Sequence, residues 1–92
     1  MKNILNKTAA VTGAASGIGR MLGVNLAREG CNLAIADIDE SGLKETAALI
    51  GDRVKVSTHV VDVSDRSQVF RFAEEAAAYH GGIDIVINNA GV

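Results

Sequence analysis

The apolar residues of this chain change their spacing repeatedly, from the runs and alternations of a strand to the three-and-four step of a helix and back. Residues 7–12 (KTAAVT) form a short extended run that ends on glycine, a first strand. Residues 17–29 carry Ile18, Leu22 and Leu26 on one helix face with Met21 beside them, and Gly30 is a stop signal. Residues 32–36 (NLAIA) are almost wholly apolar, as a central parallel strand requires. Asp39 or Ser41 then caps a helix that turns Leu43, Ala47 and Ile50 inward and ends at Gly51. Residues 54–60 alternate, with Val54, Val56, Thr58 and Val60 on one side and Lys55, Ser57 and His59 on the other. Alternation predicts one wet face and a place at the sheet edge. Ser64 or Asp65 caps a third helix with Val69, Phe72, Ala73 and Ala76 inward, and Gly81-Gly82 closes it. Residues 83–88 (IDIVIN) are a fourth, strongly apolar strand.

Strand and helix in alternation predict an α/β fold with parallel strands and right-handed crossovers. A doubly wound sheet places the four strands in the order 3-2-1-4 with three helices, and puts the alternating third strand at an edge. At 92 residues the chain holds one domain, residues 1–92. Its palette is 48% apolar but only 3% aromatic, so the core is built from Ala, Val, Ile and Leu. A stacking platform for bases is thereby excluded. The net charge of −2, with no basic run, gives no electrostatic footprint for nucleic acid. No apolar stretch is long enough for a membrane, and the N-terminus lacks the apolar centre of a secretory signal. With a single cysteine, Cys31, no internal disulfide forms, and the expected location is cytoplasmic. His59 and His80 stand apart from other ligand types, so they read as surface histidines and no metal is expected. Asp84 reads as structural, and Glu74-Glu75 as a wet helix face.

Chemistry enters at residues 12–19, TGAASGIG, between the first strand and the first helix. Gly13 lets the chain turn sharply, and Gly17 and Gly19 remove side chains where a pyrophosphate and the packed strand approach. The free N–H groups at the helix tip then face the anion. Spacing alone also suits a plain tight turn. The second signal is Asp37, about twenty residues beyond the glycines at the end of the second strand, where a carboxylate accepts from ribose hydroxyls and repels the extra phosphate of NADP. Asp37 or Asp39 also suits a helix cap; Asp39 is assigned the cap and Asp37 the ribose.

Residues 12–19 resemble the TGxxxGIG pattern of the short-chain dehydrogenase/reductase family, and two further stretches match it. Asp62-Val63 resembles the family's adenine-contacting pair, Asp62 through its side chain and Val63 through its backbone. Asn88-Asn89-Ala90-Gly91 is similar to the family's NNAG motif. The resemblance runs from about residue 7 to the end of the chain. It implies a Rossmann-like parallel sheet and a cofactor site of Gly13, Ser16, Gly17, Ile18, Gly19, Asp37, Asp62, Val63, Asn89, Ala90 and Gly91, with Asn88 bracing the sheet. It also implies NAD as the cofactor, since Ser16 and Asp37 stand where NADP-preferring members carry a basic residue. Arg20 reads as a solvated charge rather than a pyrophosphate contact.

The reaction the resemblance implies is hydride transfer between nicotinamide and an alcohol or carbonyl substrate, by a serine, a tyrosine and a lysine four residues after it. These lie beyond NNAG in the family. The one tyrosine, Tyr79, precedes the motif and is followed four residues later by Ile83, so no catalytic residue is assigned. The expectation is a truncated dinucleotide-binding domain, the leading part of an NAD-dependent oxidoreductase, inactive alone. The alternatives are a non-catalytic nucleotide-binding module, an inactive family fragment or, less well matched, a methyltransferase-like loop. An apolar fourth strand with an open edge predicts self-association.

Overall fold

The computed structural model describes residues 4–90. Its elements are β1 (Thr8–Thr12), α1 (Gly17–Arg28), β2 (Asn32–Asp37), α2 (Glu40–Ile50), β3 (Val56–Val60), α3 (Arg66–His80) and β4 (Ile85–Asn88). The strands are parallel in the order β3-β2-β1-β4, as the alternation predicts. Thr12 stands beside both Ala36 and Asn88. The exits of β1, β2 and β4 therefore share one end of the sheet, with the glycine turn, Asp37 and Asn89 together.

Side chains on β1 and β2 alternate between two covered faces. Val11, Leu33 and Ile35 meet Leu26, Leu43 and Ile50 from α1 and α2. Ala10, Ala34 and Ala36 meet Phe72 and Ala76 from α3, together with Val61. Burial on both sides is why these strands read as unbroken apolar runs. Asp39 and Asp65, rather than Ser41 and Ser64, are the residues that cap α2 and α3. Among the described residues no helix is long and apolar enough to cross a membrane.

Three faces differ from the sequence reading. On α3 only Phe72 and Ala76 of the four expected inward residues are buried, while Val69 and Ala73 are exposed. On α1 the stripe against the sheet is Gly19, Gly23, Leu26 and Ala27, while Ile18 and Met21 are 72% and 65% exposed. Small residues let the helix lie close: a Cβ added to Gly23 already stands 3.9 Å from side-chain atoms of Ile35 and Leu33. On β3, an edge strand as expected, the polar face is not the wet one. Ser57 and His59 are covered by α3, Val54 and Val56 join the opposite core, and Thr58 and Val60 are exposed. Under that cover Ser57 meets His59 and His80 Nε2 and His59 Nδ1 faces Glu75, while the buried His80 Nδ1 has no partner among the described residues.

Candidate functional site

The chain leaves β1 through Gly13, whose φ of +68° is a left-handed turn that favours glycine. A Cβ there would lie 2.8 Å from Asn89 Nδ2 and 3.0 Å from the Ala90 amide. A Cβ on Gly19 would fall 1.9 Å from the Gly13 carbonyl oxygen, so the first turn of α1 sits directly on the strand exit. Gly17 is different: a Cβ there meets nothing within 4 Å, so this glycine borders open space.

Ser16 is the N-cap of α1, in extended conformation, and its hydroxyl makes no capping bond. The amides of Gly17, Ile18 and Gly19 find no acceptor among the described residues, and no acidic residue occupies the first turn. An uncapped tip of this kind carries the helix dipole's positive end, equivalent to roughly half a charge.

Asp37 stands beside this tip, half-buried at the end of β2. Its Oδ2 accepts from the Ala15 amide at 3.0 Å and its Oδ1 from the Asp39 amide at 3.0 Å. Asp39 caps α2 through the Gly42 amide at 3.1 Å, as the sequence suggested, and Asp37 takes no part in that cap.

Thr12 ties the third piece in. Its hydroxyl donates to Asn88 Oδ1 at 2.9 Å and accepts from the amides of Asn89 and Ala90 at 3.0 and 3.1 Å. Asn89 Nδ2 donates to the Gly13 carbonyl at 3.3 Å. Asn88 and Asn89 thus both brace the turn that Gly13 begins, and Ala90 follows at its side; Gly91 lies outside the described residues. On the neighbouring loop, Asp62 Oδ1 accepts from the Ser64 hydroxyl and amide at 2.7 and 3.0 Å. Those two bonds, the hydroxyl's first, hold the Asp62 carboxyl below the usual range. Oδ2 has no partner among the described residues, and Val63 is exposed beside it.

Arg20 is not a solvated charge, although it lines the same surface hollow as Gly17. Its Nε donates to Thr46 Oγ1 at 2.8 Å, and its Nη2 is shared among the carbonyls of Ala15 and Gly42 and the Glu45 carboxylate at 2.5, 3.1 and 3.0 Å. Thr46 and Gly42 were missed and Arg20 was misread because the bonds that join α2 to the turn and to α1 span 22 to 32 residues. The histidines are not isolated surface groups either. His59 Nε2 and His80 Nε2 both meet the Ser57 hydroxyl, at 2.7 and 2.9 Å, and His59 Nδ1 faces Glu75 at 3.3 Å. The side chain of His59 is only 8% exposed. Burial first, then Lys55 and His59, push the His80 imidazole below its ordinary range.

The remaining titratable groups stay away from the turn. Tyr79 lies at the far end of α3 beneath the Lys55 ammonium, 4.5 Å from its ring centre. Cys31 is wholly buried, and that burial raises its thiol pKa, which suits an inert residue. Asp84 accepts from the Thr8 amide at 2.9 Å, a structural bond as expected. Among the described residues no group of three or more His, Cys, Asp or Glu side chains is gathered for a metal.

The profile of the short chain dehydrogenase family matches residues 7–92. The probable oxidoreductase EphD of Mycobacterium tuberculosis is 51% identical over 84 residues, which are 90% of this chain and 14% of that protein. The crystal structure of an NAD+-bound xylitol dehydrogenase superposes with a TM-score of 0.93 at 30% identity, covering 99% of this chain and 35% of that one. A short chain dehydrogenase from Mycobacterium paratuberculosis, crystallised with NAD, gives a TM-score of 0.90 at 29% identity over 97% of this chain and 38% of its own. The chain thus spans between about a seventh and two fifths of the length of these relatives.

Proposed function

The chain belongs to the short-chain dehydrogenase family, and on that premise we propose that it holds the adenosine and pyrophosphate of NAD for an oxidoreductase acting on an alcohol or carbonyl substrate. One observation carries the reading: the uncapped tip of α1 and the Asp37 carboxylate stand side by side, joined through the Ala15 amide. The donor set fits the cofactor. Free amides at Gly17, Ile18 and Gly19 suit a diphosphate, Gly17 opens to unfilled space, and a carboxylate suits vicinal hydroxyls. Asp62, Val63, Asn89 and Ala90 border the same end of the sheet and would flank the adenine and the ribose. When bound, NAD supplies hydride acceptance; the residues here bind and orient it. Asp37 also sets the preference, because its charge opposes a phosphate on the adenosine ribose, and neither Ser16 nor any neighbour in the turn is basic.

Titration calorimetry with NAD, NADP and AMP tests this. NAD and AMP should bind, and Asp37→Ala should weaken both by about ten- to a hundredfold, the worth of charge-assisted hydrogen bonds. NADP binding as well as NAD would overturn the cofactor assignment. Turnover is expected to be absent from these residues, since Tyr79 has no lysine four positions on and sits at the opposite end of the sheet.

Self-association is the second part of the reading. Among the described residues β4 pairs only with β1, and its other edge is open. Val86, 73% exposed, lines an apolar groove of about 340 Å³ with Val61, Val69, Phe72 and Ile83. An apolar strand with unpaired N–H and C=O groups invites another strand. Sedimentation at rising concentration should show dimers or larger species; a single monomer throughout would refute it.

A further inference from the structure

A turn that binds an anion through its amides has as many carbonyls as amides, and each carbonyl that faces the anion repels it. In the turn between β1 and α1, the amides of Ala14 and Ala15 are already engaged, by the Ala36 carbonyl at 3.1 Å and by Asp37. The question is where the carbonyls go. The Ala14 carbonyl accepts from the Thr46 hydroxyl at 2.7 Å, and the Ala15 carbonyl from Arg20 Nη2 at 2.5 Å.

We propose that Arg20 and Thr46 are positioning residues for the anion-binding tip of α1, holding the Ala14 and Ala15 carbonyls turned away so that the tip presents amides alone. This rests on the dinucleotide reading of the site. The two side chains act as one device. Arg20 Nε donates to Thr46 Oγ1 at 2.8 Å, so that oxygen is an acceptor on its Arg20 side. Its single proton is then free for Ala14, which is closer than the alternative carbonyl of Gly42 at 3.1 Å. Thr46 is fully buried. The Arg20 charge is taken up by two carbonyls and Glu45. Gly42 brings α2 near enough for this: a Cβ there would fall 2.7 Å from both Cβ and carbonyl oxygen of Ala15. The clamp thereby joins α1, the turn and α2.

Two measurements on the chain decide it. In ligand-free protein, amide exchange at Ala15 should quicken about tenfold or more in Thr46→Val and in Arg20→Lys, relative to Ala34 and Ile35 in β2, while Thr46→Ser, which keeps the hydroxyl, restores protection. In calorimetry, the same two variants should bind ADP about tenfold more weakly and adenosine as the parent does. A general loss of structure would instead speed β2 exchange as well and weaken both ligands alike. Unchanged Ala15 exchange, or an equal loss for ADP and adenosine, overturns the proposal. A parent chain that binds neither nucleotide removes the dinucleotide reading, and the exchange measurement then still decides whether Arg20 and Thr46 hold the turn.

Discussion

At the start of α3 the Asp65 carboxylate accepts from the amides of Ser67 and Gln68, and at the start of α2 Asp39 does the same for Gly42. At the start of α1 Ser16 has a hydroxyl capable of that bond and does not make it. All three residues are good N-caps by type. The difference lies in what surrounds them. The first turn of α1 is pressed onto the Gly13 carbonyl through Gly19, and in the turn just before it the Ala14 and Ala15 carbonyls and the Ala15 amide are drawn into contacts with Thr46, Arg20 and Asp37. Two helices spend their leading amides on their own side chains, and one leaves them free. The comparison teaches where this fold leaves backbone donors unused: at the helix end whose local capping is forgone.

The largest expected effect comes from filling the space under the α1 tip. Gly19→Ala would place a Cβ 1.9 Å from the Gly13 oxygen, which no rotamer relieves, so the helix must move off the strand. A loss of about 3 kcal/mol in thermal or urea unfolding is expected, together with loss of nucleotide binding. Gly23→Ala, in the same helix and equally buried, meets its neighbours at 3.9 Å and should be neutral or stabilising by up to about 1 kcal/mol. Equal effects would mean that the tip is not specially packed.

A smaller effect sets the capped helices against the uncapped one directly. Asp39→Ala removes the acceptor for Gly42 and should cost about 1 kcal/mol. Asp65→Ala should destabilise in the same direction, because it strips the amides of Ser67 and Gln68. Ser16→Ala should leave stability unchanged, since no bond is lost. Unfolding midpoints of the three variants check the ordering. A Ser16→Ala loss as large as that of Asp39→Ala would show that α1 is capped after all.

Sequence reasoning succeeded where the signal is local. Asp39 three residues before Gly42 and Asp65 before Ser67 announce their helices, and the continuous run NLAIA announces a strand covered on both sides. The shared exit of β1, β2 and β4 followed from strand order, and it brought Gly13, Asp37 and Asn89 together as expected. It failed where the partner is distant. Nothing near Arg20 in the chain signals Thr46, and only the approach of α2 to the turn turns a helix-surface arginine into a clamp. The inward face of α1 was misjudged because hydrophobicity ranks Ile18 above Gly19, whereas close approach to the sheet selects the smaller residue. Ser57 and His59 share a strand face in the sequence, but His80 joins them only once β3 and α3 are placed together.

The smallest expected effect is acid sensitivity, which should touch the ends of α3 and spare the start of α1. At its last residue, His80 resists the proton that an unfolded chain takes up near the ordinary value of 6.5, because burial and then Lys55 and His59 disfavour the charged ring. The unfolded state binds more protons there, so this contribution is complete above 6.5 and fades as pH falls through the lowered folded value. At the other end the Asp65 carboxyl is held below its ordinary 3.8, first by the Ser67 hydroxyl and then by the Gln68 amide. Its contribution is complete above 3.8 and fades as pH falls through the lowered folded value, the same sign as for His80. The α1 tip has no acidic group to protonate in its cap or first turn. Amide exchange followed from pH 7 downward should therefore show loosening at the His80 end of α3 first and at Ser67 and Gln68 later, with α1 keeping its protection at both stages. In His80→Gln the first step should vanish and the second remain. Simultaneous loss in α1 and α3 would show that the helices do not differ in how their ends are held.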